Sequence, residues 1–64
     1  MKFSLKAYRV NANKSVKEAA EIAGVSKKTI YLWENDEIAF RKATLDAVVK
    51  LAKAYGISVD DLLP

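Results

Sequence analysis

Apolar residues recur at intervals of three and four along most of the chain, which is the spacing of helices that bury one face. The pattern predicts a first helix over about residues 5–11, a second over 16–23, a third over 27–35, a fourth over 45–55 and a short last helix over 58–63. Residues 37–43 are predicted to form a loop, or a loop with a short turn. The sequence therefore predicts an all-α fold.

Residues that start or end helices stand at the predicted boundaries. Ser15 and Glu18 have the spacing of a capping box at the start of the second helix. Gly24 is suited to a left-handed turn that ends this helix and leads into the third. The other predicted end signals are Ser26 and Thr44 as N-caps, and Asn35-Asp36-Glu37 and Gly56 as stops.

The helical spacing also predicts which side chains face the core. They are Leu5, Tyr8 and Ala12 in the first helix, Val16, Ala19, Ala20 and Ala23 in the second, Ile30 and Trp33 in the third, and Leu45, Val48, Leu51, Ala52 and Tyr55 in the fourth. Phe40 lies in the predicted loop, where it either packs back on the core, which we favour, or offers an apolar contact to a partner.

Composition excludes several functional classes. The 64 residues are enough for one domain, over residues 1–64, and contain no cysteine and no histidine. Disulfides, the usual zinc sites and the commonest general base are therefore absent, and the remaining residues form no nucleophile–base set. We expect no enzyme activity, no cofactor and no small-molecule substrate. The apolar runs are too short to span a membrane, so a cytoplasmic location is expected.

Charge is distributed unevenly. Residues 1–33 contain seven Lys or Arg against two acids, giving +5, whereas residues 34–64 contain four against six, giving −2. The third helix belongs to the basic part. With Ile30 and Trp33 inward, the residues that face outward are Lys27, Lys28, Tyr31 and Asn35, with Leu32 near the boundary.

Lys27 and Lys28 stand in the first turn of the third helix, where they oppose the helix dipole at about 0.3–1 kcal/mol each. Phosphate oxygens or guanine acceptors of DNA would compensate for this placement. The alternative is an ordinary solvated surface with one exposed tyrosine. The face alone does not distinguish the two.

Two separate segments resemble one known family. Residues 15–35, SVKEAAEIAGVSKKTIYLWEN, resemble the Cro/C1-type (XRE family) helix-turn-helix, and residues 51–63, LAKAYGISVDDLL, resemble the closing segment of that family. The resemblance implies a lambda-repressor-like DNA-binding domain, a compact bundle of about five short helices with the third in the major groove of double-stranded DNA.

The resemblance also implies roles for individual residues. Base contacts carry over to Lys27, Lys28, Tyr31 and Leu32. Contacts to the DNA backbone carry over to Lys14, Ser15, Lys17, Ser26, Thr29, Asn35, Arg41 and Lys42. Arg9 and Glu34 match a pair that forms an internal salt bridge in relatives, which makes Arg9 structural.

Four positions depart from the family pattern. Val16 stands where relatives usually have glutamine, Asp36 where they have glycine, and Ala43 where they have proline. Glu37 carries the same sign of charge as phosphate, so residues 37–40 are not expected to approach the DNA backbone. These changes put the predicted contacts to phosphate in doubt more than the predicted contacts of the third helix to bases.

Two functional hypotheses follow. The first is sequence-specific DNA binding by a phage or prophage-type transcriptional repressor or regulator, associated with the bacterial nucleoid. The second is a protein–protein interaction module, similar to an anti-repressor, that keeps the fold without binding DNA. Val16, Glu37 and Phe40 are the residues that favour the second.

A weak homodimer, formed on DNA, is expected by analogy, because paired half-sites call for two copies. The predicted dimer surface contains Ile57, Val59, Leu62 and Leu63, although burial within the chain is the alternative. If the chain is a piece of a longer regulator, Pro64 marks a boundary to the missing part.

Overall fold

The computed structural model describes residues 5–62, and all of the regular structure in this range is helical. The elements are α1 (Leu5–Asn11), α2 (Val16–Ala23), α3 (Lys27–Asn35), α4 (Glu37–Arg41), α5 (Leu45–Tyr55) and α6 (Val59–Leu62). The all-α prediction is confirmed, and α1, α2, α3 and α5 have the predicted bounds. The last helix begins at Val59, one residue later than predicted, and its predicted end at Leu63 lies outside the described residues.

The predicted caps are present. At the start of α2, the Ser15 hydroxyl accepts from the Glu18 N–H at 3.0 Å, and the Glu18 carboxylate accepts from the Ser15 N–H at 2.9 Å. The bond from the Ser15 N–H to the carboxylate is the main cause of a lowered pKa of Glu18, and the Ser15 side chain acts in the same direction. Gly24 ends α2 with φ of 72° and Gly56 ends α5 with φ of 70°. A side chain at this φ would be strained, so both chain reversals depend on glycine.

The prediction of a loop, or a loop with a short turn, over residues 37–43 is wrong over Glu37–Arg41, where α4 forms. Asp36 produces this helix: its N–H bonds to the Leu32 carbonyl at the end of α3, and its carboxylate accepts from the N–H groups of Ile38 and Ala39. A Glu37–Arg41 ion pair, 2.9 Å long and four residues apart, spans the helix. Asp36 thus ends one helix and starts the next.

Small side chains allow the helices of the core to approach closely. The helices α2 and α5 pack against each other, with Ala19, Ala20 and Ala23 buried on α2 and Ala47 and Ala52 buried on α5. Larger side chains fill the space around this contact, namely Leu5, Ile30, Trp33, Phe40, Val48, Leu51, Tyr55 and Leu62. Tyr8, Ala12, Val16 and Val25 are half-buried and pack against this cluster.

Phe40 resolves the alternatives left open by the sequence. It is fully buried, and its ring meets that of Trp33 edge to face, with the centroids 5.7 Å apart. The short helix α4 therefore fastens the segment after α3 to the core. Through the same contact, it supports the buried side of α3.

One prediction about burial is wrong, and one alternative is decided. Leu45, predicted to face the core, is 67 % exposed. It is the first residue of α5, where helical side chains lean toward the N-terminal end of the helix. For the predicted dimer surface, the alternative of burial within the chain holds for Leu62, which is buried, and in part for Ile57 and Val59, which pack half-buried against the core. The helix α6 uses its apolar residues to pack against α5.

We expect Phe40→Ala to destabilise the domain by roughly 3–5 kcal/mol, because it removes a fully buried ring and leaves a cavity beside Trp33. Ile38→Ala is the matched control in α4, since Ile38 is 65 % exposed and should change stability by less than about 0.5 kcal/mol. Urea unfolding of both variants measures the difference. Equal losses would show that α4 does not anchor the segment after α3.

Candidate nucleic-acid interface

The orientation of α3 is determined by its two buried side chains. Ile30 is 1 % and Trp33 is 7 % exposed, and they lie three residues apart on one face of the helix. The opposite face is exposed and contains the predicted base-contacting residues Lys27, Lys28, Tyr31 and Leu32, together with Asn35. Leu32, predicted near the boundary, is 52 % exposed and thus belongs to this outward face.

The N-terminal turn of α3 is electrically unlike those of most other helices in the described chain. Helices α2, α4, α5 and α6 each have an aspartate or glutamate in the first turn, which the helix dipole favours. The first turn of α3 instead contains Lys27 and Lys28. Among residues 5–62, neither lysine forms an ion pair. This turn is therefore a site of uncompensated positive charge.

Three polar side chains of the outward face bond within the protein. The Ser26 hydroxyl caps α3 by accepting from the Thr29 N–H at 3.2 Å, and it lies 3.0 Å from the Thr29 hydroxyl. The Asn35 side-chain amide donates to the Tyr31 carbonyl oxygen at 2.8 Å. These contacts order the two ends of α3. They also use some of the hydrogen-bonding groups of the side chains that are predicted to contact the DNA backbone.

The remaining predicted backbone contacts lie at the start of α2 and at the end of α4. Lys17 is exposed, Lys14 is half-buried, and the Ser15 hydroxyl is engaged in the capping box. Arg41 is exposed but paired with Glu37, whereas Lys42, also exposed, ends α4. The pair partly neutralises the cation that the resemblance places near phosphate.

Arg9 joins three segments of the domain. Its Nε donates to a Glu34 carboxylate oxygen at 2.6 Å, and its Nη2 lies 3.4 Å from the other oxygen. Its Nη1 donates to the Lys14 carbonyl at 2.9 Å. The hydrogen bond to Glu34 raises the pKa of Arg9. Both side chains are largely buried, so Arg9 connects α1 to α3 and to the segment preceding α2.

Tyr55 belongs to the surroundings of this pair, a role that the sequence analysis missed when it assigned Tyr55 only to the core. Its hydroxyl is buried and has no hydrogen-bond partner among residues 5–62. Burial, and then the nearby Glu34 carboxylate, raise the pKa of Tyr55 to about 12, while Arg9 acts in the opposite direction. Helical spacing identifies a residue as inward but does not show which charges it meets.

Other kinds of site find no support in the described part of the chain. Residues 5–62 contain no group of three or more histidine, cysteine or acidic side chains that could hold a metal ion. None of the helices in this range is long and apolar enough to cross a bilayer. The exposed positive charge on the outward face of α3 is the feature that a proposed function has to explain.

Comparison with known proteins assigns the domain to one family. A helix-turn-helix family model matches residues 5–62, which is nearly the whole chain. The chain belongs to the Cro/C1-type (XRE) helix-turn-helix family. No curated protein and no solved structure gave a match. The general function of this helix-turn-helix domain is that of a DNA-binding regulatory domain.

Breaking the buried pair of this helix-turn-helix domain should cost far more stability than breaking an exposed pair. We expect Arg9→Ala to cost roughly 3–5 kcal/mol, because it leaves the Glu34 carboxylate, with its side chain 4 % exposed, without a counter-charge. The control, Arg41→Ala, breaks an exposed pair within α4 and should cost less than about 0.5 kcal/mol. Urea unfolding at neutral pH compares them, and similar costs would contradict a structural role for Arg9.

The raised pKa of Tyr55 predicts a loss of stability in alkali. The unfolded chain ionises this tyrosine near pH 10, but the helix-turn-helix domain holds its proton until about pH 12. The stabilisation is complete below pH 10 and is lost as the pH rises to 12, by an amount on the order of 2 kcal/mol.

Tyr55→Phe tests this origin. The variant should lack that part of the alkaline loss, and at neutral pH it should be as stable as the parent or more stable, because an unpaired buried hydroxyl is removed. Thermal unfolding between pH 8 and 12 measures both effects. An equally steep loss in the variant would assign the alkaline transition to other groups.

Proposed function

We propose that this domain binds double-stranded DNA sequence-specifically, with α3 in the major groove, as a phage or prophage-type transcriptional repressor. The observation that supports this most is the pair of exposed lysines at the positive end of the α3 dipole. Among the described residues no acid neutralises them, and DNA supplies both phosphate oxygens and guanine acceptors.

The proposal assigns different roles to the two kinds of contact. Lys27 and Lys28 contact base edges, with Tyr31 and Leu32 beside them. Lys14, Lys17 and Lys42 contribute charge toward the DNA backbone, together with Ser15, Ser26, Thr29, Asn35 and Arg41. Backbone contacts set position and orientation, whereas base contacts provide specificity. Arg9 has no direct role at the DNA, because its guanidinium is committed to Glu34 and Lys14.

The size of the domain is compatible with two copies on neighbouring half-sites. Its longest dimension is 26 Å, and half-sites one helical turn apart are separated by about 34 Å. We propose a weak homodimer that forms on DNA, acting on the nucleoid in the bacterial cytoplasm. Its surface must differ from the apolar side of α6, which is used within the chain.

Selection from a random duplex pool, followed by a salt titration of the selected duplex, tests the proposal. The logarithm of the association constant should fall linearly with the logarithm of salt concentration, by about 0.9 for each phosphate neutralised. Lys28→Ala should weaken binding by roughly 1–3 kcal/mol and relax the preference at one base pair. The same variant should be about 0.3–1 kcal/mol more stable, because a cation opposing the helix dipole is removed.

Lys53→Ala is the matched control, since it removes one exposed lysine from α5 and changes the net charge equally. It should leave base preference unchanged. The proposal fails if no duplex is bound at low salt, or if both variants weaken binding to the same extent on every sequence. Salt-insensitive binding to a protein partner would instead support the interaction-module alternative.

A further inference from the structure

The outward face of α3 includes two exposed apolar groups beside its lysines. Tyr31 is 55 % and Leu32 is 52 % exposed, and they are consecutive in the chain. Scattered single apolar residues are normal on a protein surface. These two, however, lie on the face that contacts bases in the proposed function. There, an exposed apolar side chain can contact an apolar group of a base.

Polar recognition of adenine is restricted on this face. Adenine is typically recognised by the two-fold hydrogen bonding of an asparagine or glutamine amide. The chain has no glutamine, and the asparagine on α3 is Asn35. Its amide nitrogen donates to the Tyr31 carbonyl at 2.8 Å. Lys27 and Lys28 can donate to guanine, and an apolar contact is a further way to distinguish A·T pairs.

The major groove presents one apolar group, the C5-methyl of thymine. We propose that α3 recognises A·T pairs through this methyl group, with Leu32 as the principal contact and Tyr31 beside it. This inference rests on the proposed DNA-binding function and specifies its substrate. Lys28 precedes Leu32 by four residues, or about 6 Å along the helix. Since residues four apart lie on the same face of a helix, the preferred half-site is expected to contain a guanine near this thymine.

Replacement of thymine by deoxyuridine removes the methyl group and leaves base pairing unchanged. The probe is the tightest selected duplex, with each thymine replaced in turn, and affinity is measured by fluorescence anisotropy at fixed salt. At the contacted thymine, we expect binding about four-fold weaker, the change that corresponds to about 0.8 kcal/mol for one buried methylene. With Leu32→Ala, the thymine and deoxyuridine duplexes should bind almost equally at that position.

Ile38→Ala is the matched control, because Ile38 is an exposed aliphatic side chain on α4 instead of α3. This variant should retain the thymine preference, and Tyr31→Ala should reduce it. The inference is overturned if the wild-type domain binds every substituted duplex as tightly as the parent, or if the preference survives in both α3 variants. Failure to bind any duplex would instead overturn the proposed function itself.

Discussion

The burial of Ile30 and Trp33 is the constraint on which the rest of the candidate interface depends. Both side chains are inserted in the core from a nine-residue helix, so rotation of α3 about its axis would expose one of them. The position of every outward side chain follows from this insertion. Phe40 closes the core against Trp33 from α4, and Arg9 binds Glu34 from α1. Thus side chains from α4 and from α1 both hold α3 in place.

At the start of α3, the charge that the proposed activity needs is opposite to the charge that would stabilise the helix. Four helices have acids in the first turn, as the dipole favours, and Ser26 supplies α3 with an ordinary N-cap. The charges of Lys27 and Lys28 oppose the helix dipole at this end of α3. The N-cap of α3 fits the rules for a stable helix, whereas the charge of its first turn does not. This combination supports the proposed binding role, because functional sites are where local rules are most often broken.

Local signals accounted for most of the fold, and their limits are visible at particular residues. The capping residues Ser15 and Thr44 and the glycines Gly24 and Gly56 marked helix ends correctly, because each acts through its immediate neighbours. The helix α4 was missed although Asp36 is a favourable N-cap, since five residues are too few to form a helix without tertiary support. That support comes from Phe40 against Trp33, a contact that spacing along the chain does not reveal.

The sequence was enough to predict which face of α3 is exposed. It was not enough to predict which of the candidate side chains form bonds within the protein. The spacing of Ile30 and Trp33 was enough to identify which residues of α3 point outward. It did not show that Asn35 bonds to the Tyr31 carbonyl or that Arg41 is paired with Glu37. These bonds alter what the interface can do, because they engage one N–H of the Asn35 amide and part of the Arg41 charge. The proposed recognition relies on the lysine donors and the exposed apolar side chains of α3, which suit guanine and the methyl group of thymine.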